Sequence, residues 1–586
     1  MKSEQGSEAV YQQASYQQAA NQQDVLSLMQ LKAEFYSDRA AFHHYEDGVW
    51  RSMTYAELAL RVRSLSDYLI ESGFKPCDRI AILSESRPEW AVALLASVRC
   101  GAIVVPLDTK LTAAELKSIL ADAEPQLLFV SAAQSSLADD LKAGLPIPEN
   151  IFLLNAGSDH CGYASIDQLH ASELQEGIAR GIDETALIVY TSGTTGAPKG
   201  VMISFKNLGY QIMNFEQVIR LGERDMLLSM LPLNHLLELT CGLLGALYAG
   251  GRISYCSTLF PREIAQIMHD KRVTCMITVP LFLKMLKSSI EKEVARRDPA
   301  SRRLFRAMLL SARWIRSHRL RKLLFNKVHK QLGGRLRAFI SGGAPLDTEV
   351  EEFFDRLGIP IYQGYGLTET SPVISVNTPA HNRPGSVGRP LPGVRVRLIE
   401  NGTRDGEGEI LTAGPHVMKG YFKREDLTRE VIDEQGWYHT GDLGRIDEDG
   451  YLYITGRTKN LIVLGSGKKV NPEEVEAVIS ESRLIKEVCV VGAQARGGLQ
   501  KGSEEICAVV VPAESPVRQE VKTSALEQEI ADEINRLSVS LAPFKRPTRV
   551  IIRHEDLPRT STRKVKRAMV TEWLESLQQA VAGRAV

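Results

Sequence analysis

One rhythm constrains this chain more than any other feature: short apolar runs alternate with longer amphipathic stretches. RIAILS (79–84) predicts a strand and WAVALLASVRCG (90–101) a helix behind it. AIVVPL (102–107), LTAAELKSILADA (111–123) and QLLFVS (126–131) continue as strand, helix and strand. The alternation returns in MLLSML (226–231), RISYC (252–256), CMITVP (275–280) and LRAFIS (336–341). Short β-branched runs separated by helices of about ten or more residues predict an α/β fold, with mainly parallel sheets sandwiched by helices.

At 586 residues the chain exceeds what one hydrophobic core serves, so more than one domain is expected. Near Gly402 the texture becomes glycine-rich and turn-dense. This predicts antiparallel hairpins in a small β-barrel-like subdomain, with DEDG the plainest turn. After GRTKN (456–460) a smaller α+β unit begins. NPEEVEAVISES opens a helix with Asn471 as N-cap and Pro472 in its first turn. EVCVVGA, EICAVVVP and TRVIIR read as strands and ALEQEIADEINRLS as a helix. The expected division is a polar, Gln-rich tail over 1–23, a large domain over 24–456, a small domain over 457–575 and a tail over 576–586.

Lysine plus arginine equals aspartate plus glutamate at 71 each, so no global charge calls for a nucleic acid or polyanionic partner. The eight cysteines are scattered without metal-ligand spacing, and several lie in apolar runs. Buried free thiols in a reducing compartment are expected. No signal-peptide core and no run of about 18 apolar residues is present, which predicts a soluble or peripheral, cytoplasmic protein. One segment stands apart. Between Pro299 and Arg337 lie twelve arginines or lysines and no acidic residue, with Leu304, Met308, Ile315, Leu323, Leu324 and Val328 at roughly helical spacing. Basic amphipathic helices follow, read either as a solvated face or as a surface for a polyanionic cofactor or for peripheral contact with anionic membrane at the inner face.

TSGTTGAPKG (191–200) follows the apolar run ALIVY. Glycines let backbone N–H groups approach phosphate oxygens, hydroxyls add donors and a lysine adds charge. It is not a Walker A loop, because Pro198 precedes Lys199 and Gly200 follows it. The loop resembles the phosphate-binding loop of the adenylate-forming superfamily of acyl-CoA synthetases, peptide-synthetase adenylation domains and luciferases. Further motifs stand in that family's order: LPLNHLLEL (231–239), SGGAP (341–345), YQGYGLTET (362–370), GWYHTGDLG (436–444), GRTKNLIVLGSGKKVNPEEVE (456–476) and LPRTSTRKVKR (557–567).

The resemblance implies the following site. Thr191, Ser192, Gly193, Thr194, Thr195, Gly196 and Lys199 handle phosphates. Gly342, Gly343 and Ala344 lie against adenine, and Gly364, Tyr365 and Gly366 form a wall on which Tyr365 stacks. Thr368 contacts the α-phosphate, Glu369 holds Mg²⁺, and Asp442 with Arg457 binds the ribose. His235 takes a positioning role beside the acyl pocket. Lys459 is the hinge of a mobile C-terminal domain, and Gly465, Ser466, Gly467 and Lys468 form a loop on the coenzyme A side. Lys564 is the catalytic lysine, with Arg563 where the family pattern has glycine. The implied reaction converts a carboxylate and ATP to acyl-AMP and pyrophosphate, then acyl-AMP and coenzyme A to acyl-CoA and AMP. SRPEW (86–90) and the stretch from VPLFLKMLKSSIEKEV into the basic segment resemble long-chain fatty acid–CoA ligases. A ligase loading an acyl carrier protein is the alternative, and a nucleotide-binding scaffold without catalysis the more distant one.

Overall fold

The structure is a computed structural model that describes residues 36–582 apart from 47, 143–149, 156–161, 193–197, 257–259, 401–405, 465–468, 495–503, 514–522 and 560–564. The chain divides into two compact units. The first holds the residues up to Val396 and Thr412–Tyr438; the second holds Arg397–Leu411 and His439 onward.

In the first unit, one sheet has nine strands. β1 (Ala40–Glu46) and β2 (Val49–Thr54) form one edge; β9 (Met226–Ser229), β10 (Arg252–Tyr255), β11 (Cys275–Thr278), β12 (Ala338–Ser341) and β13 (Ile361–Tyr365) fill the centre. β14 (Ser375–Val376) and β15 (Arg389–Pro390) close it, in the order β15-β14-β13-β12-β11-β9-β10-β1-β2. Pairing from β1 through β13 is parallel, and only the edge strands run antiparallel. The second sheet joins β3 (Arg79–Leu83), β4 (Ile103–Leu107), β5 (Leu127–Val130), β6 (Ile151–Leu153), β7 (Thr185–Ser192), β8 (Pro198–Ser204) and β18 (Gly420–Tyr421) in the order β18-β8-β7-β4-β3-β5-β6. Every apolar run expected to be a strand is one, and the helices Pro88–Arg99 and Ala113–Ala123 fall where amphipathic stretches predict them.

Alternation along the central strands shows why both faces must be covered. Leu227, Ile277 and Ile340 enter a core shared with Ile80, Val104, Trp90 and Ile212, which joins the two sheets through the helices between them. Their neighbours Leu228, Met276 and Phe339 point to a second core with Met268, Leu286, Phe325 and Phe353. A strand with period 2 and both faces apolar belongs to a doubly covered sheet.

The second unit carries an antiparallel hairpin of β19 (Tyr438–Ile446) and β20 (Leu452–Arg457), closed at DEDG by the Gly450 N–H donating to the Asp447 carbonyl at 2.9 Å. It belongs to a four-stranded sheet with β16 (Arg395–Glu400) and β17 (Gly408–Ala413). The short pair β21 (Ile462–Val463) and β22 (Lys469–Val470) follows, then a three-stranded sheet of β23 (Ile485–Gln494), β24 (Glu504–Pro512) and β25 (Arg549–Ile552). Asn471 caps the helix Pro472–Ile479 through Oδ1, which accepts from the Glu473 N–H at 3.1 Å. The final helix, Arg567–Ala582, runs past the position where the sequence places a tail, because Val570 and Leu574 anchor it in a core. Cys100, Cys241, Cys275, Cys489 and Cys507 are buried free thiols as expected, whereas Cys77 is exposed; Cys161 lies outside the described residues.

Candidate active site

Backbone pairing at the start of TSGTTGAPKG places Thr191 opposite Lys199 and Tyr190 opposite Gly200 in the β7–β8 ladder. Gly200 is set by packing: a Cβ there would lie 2.8 Å from Ile188 Cγ2 and 3.1 Å from the Tyr190 ring. Ser192 ends β7, and Gly193, Thr194, Thr195 and Gly196 lie outside the described residues. β18 then pairs with the outer side of β8, Tyr421 opposite Val201, and the Phe422 N–H donates to the Gly200 carbonyl at 2.7 Å. This brings in a residue that no motif singled out. The Lys199 ammonium lies 5.3 Å from the centre of the Tyr421 ring, within cation–π range. Tyr421 Oη donates to Glu369 Oε1 at 3.0 Å.

Glu369 sits in the 3₁₀ turn Thr368–Thr370 after β13. The turn is pinned from three sides. The Met418 N–H donates to the Glu369 carbonyl at 2.9 Å, Gln211 Nε2 donates to the Thr370 and Val373 carbonyls, and Thr370 Oγ1 accepts from the Leu367 N–H at 2.8 Å. Gly366 has no room for a side chain, since a Cβ would meet the Pro372 carbonyl oxygen at 2.0 Å. Tyr421 is buried, and with Glu369 beside it its hydroxyl stays protonated well above the ordinary tyrosine range, so it remains a donor. Tyr438 is buried next to the same carboxylate and shifts the same way.

SGGAP, LPLNHLLEL and YQGYGLTET meet at Gly342, where an added Cβ would touch Leu237 Cδ2 at 3.2 Å and lie 3.6 Å from the Gly364 carbonyl oxygen. Gly343 takes φ +84°, a left-handed turn that glycine favours. Ser86 of SRPEW ties the same region together: its Oγ donates to the Leu231 carbonyl and accepts from the Leu233 N–H, both at 3.1 Å. His235 is half-buried in the turn that leads into a π-helix over Glu238–Leu244. Wide turns of this kind are rare and concentrate at functional sites. Glu238, the first residue of that helix, is fully buried with its Oε2 making no hydrogen bond. Burial pushes its carboxyl up to about 8, and the nearby Ser229 hydroxyl offsets only part of that. Its carboxyl fills the space at Gly242, where a Cβ would sit 2.5 Å from Oε1.

In the second unit, Asp442 on β19 and Arg457 on β20 are register partners, and Arg457 Nε lies 2.7 Å from Asp442 Oδ1. Asp442 is 3% exposed, and its N–H donates to Thr440 Oγ1 at 3.1 Å. Lys459 is exposed in the 3₁₀ turn Thr458–Asn460. Gly465, Ser466, Gly467, Lys468, Arg563 and Lys564 lie outside the described residues.

The donor set suits magnesium at Glu369. Mg²⁺ characteristically takes one or two carboxylates and completes its shell with phosphate oxygens and water. Glu369 is half-buried and engages Tyr421 through one oxygen only. Among the described residues no group of three or more His, Cys, Asp or Glu is gathered to hold a metal by itself.

One unit of largely parallel sheets that carries a lysine and a carboxylate joined through one tyrosine, and a smaller unit in which a buried aspartate pairs with an exposed arginine, together hold the groups a nucleotide-dependent acid-activating enzyme needs. The chain belongs to the AMP-binding enzyme family: residues 29–422 match the family's main domain and 474–564 its C-terminal domain. Among its relatives, a long-chain-fatty-acid–CoA ligase, FadD15, from Mycobacterium bovis is 32% identical over 78% of each chain. A long-chain-fatty-acid–[acyl-carrier-protein] ligase, AEE15, from Arabidopsis thaliana is 28% identical over 79% of this chain and 74% of its own. The crystal structure of ATP-bound MatB from Rhodopseudomonas palustris superposes with a TM-score of 0.76 at 29% identity, covering 95% of this chain and 100% of that one.

Proposed function

We propose that this chain is an AMP-forming ligase that activates a medium- or long-chain fatty acid with ATP and transfers it to coenzyme A. The observation that carries the proposal is the Lys199–Tyr421–Glu369 cluster, which sets a phosphate-binding cation and a metal-binding carboxylate on one buried support. The FadD15 relative gives the substrate class its direction.

In the first half-reaction a fatty acid carboxylate oxygen attacks the α-phosphorus of ATP, the bond to the bridging oxygen breaks and pyrophosphate leaves. Tyr365 stacks on adenine beside Gly342, Gly343 and Ala344, and Asp442 with Arg457 accepts the ribose hydroxyls. Lys199, with the loop hydroxyls of Thr191, Thr194 and Thr195, holds phosphate oxygens, Thr368 contacts the α-phosphate and Lys564 meets both anions. Mg²⁺ held at Glu369 supplies charge neutralisation on the phosphates when bound. Chemistry of this kind is positioning and electrostatics, so no nucleophilic triad is required. In the second half-reaction the small domain pivots at Lys459, Lys564 withdraws and the Gly465–Lys468 loop comes in. The thiolate sulfur of coenzyme A then attacks the acyl carbon and AMP leaves; His235 orients the acyl chain. An acyl carrier protein is the second reading for the acceptor, favoured by the AEE15 relative.

No helix of the described residues is long and apolar enough to cross a membrane. We place the protein in the cytoplasm, with the basic segment 299–337 in contact with the membrane that holds its substrate. ATP–pyrophosphate exchange across fatty acids of increasing length tests the proposal. Exchange should rise toward long chains, and no exchange with any fatty acid would leave a nucleotide-binding scaffold instead.

A further inference from the structure

The carboxyl ends of β1, β10 and β9 carry polar side chains on a face that is otherwise core. Phe42, Leu227, Ile253 and Tyr255 all enter the core shared by the two sheets of the first unit. Tyr255 is the register partner of Ser229, so both side chains stand on this face. Phe42 pairs with Ile253 and His43 with Ser254, which puts His44 level with Tyr255 on the same face. Tyr255 stacks on Phe42 with ring centres 5.6 Å apart, which holds its ring in place. Glu238, in the π-helix that follows β9, lies near the Ser229 hydroxyl and acts electrostatically on Tyr255.

Each of these four side chains has a buried polar atom with no hydrogen-bond partner among the described residues: His44 Nδ1, Ser229 Oγ, Glu238 Oε2 and Tyr255 Oη. Ser229 is 2% exposed, Glu238 1% and Tyr255 5%. A buried polar atom without a partner calls for an explanation, and here four fall on one face at the ends of three adjacent strands. The ionic groups over the end of β1 are already matched. Arg87 engages Glu46, Glu85 and Glu89, Arg61 engages Glu89 and Asp167, and His44 meets Glu46 through Nε2 at 3.5 Å. Burial, with Glu238 and Glu89 nearby, keeps the Tyr255 hydroxyl protonated, and burial holds the proton on Glu238 up to about 8. The face therefore offers O–H donors and lone pairs but no net charge, which suits a neutral oxygen and not an anion.

Its place in the sheet says which part of a substrate can reach it. Ligands of open α/β sheets bind at the carboxyl ends of the strands. β9 and β10 stand three and four strands from β13, which leads into Glu369; at about 4.8 Å per strand that is roughly 15–20 Å. A long acyl chain spans such a distance, and Glu238 follows His235 of the acyl segment by one turn. We propose that this face is a subsite for an uncharged oxygen, hydroxyl or keto, carried on the acyl chain far from its carboxylate, with Ser229, Tyr255 and Glu238 as its hydrogen-bond partners. The proposal rests on the ligase reading and narrows its substrate class from plain to oxygenated acids.

The test compares ATP–pyrophosphate exchange by the full chain on hexadecanoic acid and on hydroxy- and keto-hexadecanoic acids in which the oxygen moves stepwise along the chain. One position should be preferred over the unsubstituted acid about tenfold or more in kcat/KM, because the matching oxygen satisfies groups that a methylene leaves unpaired. Ser229→Ala with Tyr255→Phe should bring the preferred acid down to the level of the unsubstituted one. The same double variant should keep or raise the thermal midpoint, since it removes hydroxyls that have no partner in the free protein. No preferred position, a preference that the double variant retains, or a midpoint that falls in the variant because ordered water already satisfies the hydroxyls would overturn the proposal. Thermal-shift titration with the same acids reads binding without turnover. Exchange on hexadecanoic acid with no preferred position removes the subsite and leaves the ligase reading standing. A shift from one oxygenated acid, lost in the double variant, with no exchange on any acid does the reverse.

Discussion

At the scale of single residues, Tyr421 joins groups that the sequence keeps far apart. Lys199 stands in a loop whose residue types suit phosphate and Glu369 offers a hard carboxylate oxygen that suits magnesium, whereas Asp442 is picked out only by the family resemblance of its motif. Tyr421 stands in no such motif. Its role emerges only when β18 pairs with β8, a contact between segments more than two hundred residues apart. A hydrogen bond to a charged group is worth about 1.5–3 kcal/mol. Tyr421→Phe should therefore lower kcat/KM for ATP about tenfold or more and raise the magnesium concentration needed for half-maximal exchange, with the unfolding midpoint little changed. Unaltered exchange at low magnesium would remove Tyr421 from the site's support.

Among the elements, the strands are the most legible, because buried β-branched runs of four to six residues leave few other choices. Sheet order is not legible: β1 at the start of the described chain lies beside β10, and nothing local specifies that partner. The basic segment is readable as helices, but its apolar spacing could not say that Phe305, Met308 and Val328 pack on the core while Leu310 and Trp314 stay exposed. The π-helix was equally hidden. LPLNHLLEL places Glu238 among leucines, and only the fold shows that its carboxyl is buried without a full set of partners. The consequence is a pH dependence. The unfolded chain loses the Glu238 proton near pH 4.5, while the folded protein keeps it until about 8. This stabilising contribution is complete below the unfolded value and is lost as the pH rises through the folded one. Glu238→Gln should remove that slope, so the thermal midpoint of the variant should gain on that of wild type between pH 5 and pH 8, as the difference in unfolding free energy grows toward about a few kcal/mol. A constant difference across that range would mean that Glu238 ionises normally.

For the molecule as a whole, the proposed chemistry is divided between the two units: Lys199 and Glu369 belong to the large one, the Asp442–Arg457 pair to the small one. If Lys564 serves the first half-reaction alone, Lys564→Ala should abolish fatty-acid-dependent exchange and spare thioester formation from supplied acyl-adenylate. Equal loss of both would remove the separation of roles. The most direct measurement of the central claim is the product balance of purified protein given a long-chain fatty acid, ATP, Mg²⁺ and coenzyme A. The account predicts AMP, pyrophosphate and acyl-CoA in equal amounts, with no AMP when the fatty acid is omitted. ADP with inorganic phosphate, or AMP without an acyl thioester of coenzyme A, would contradict it.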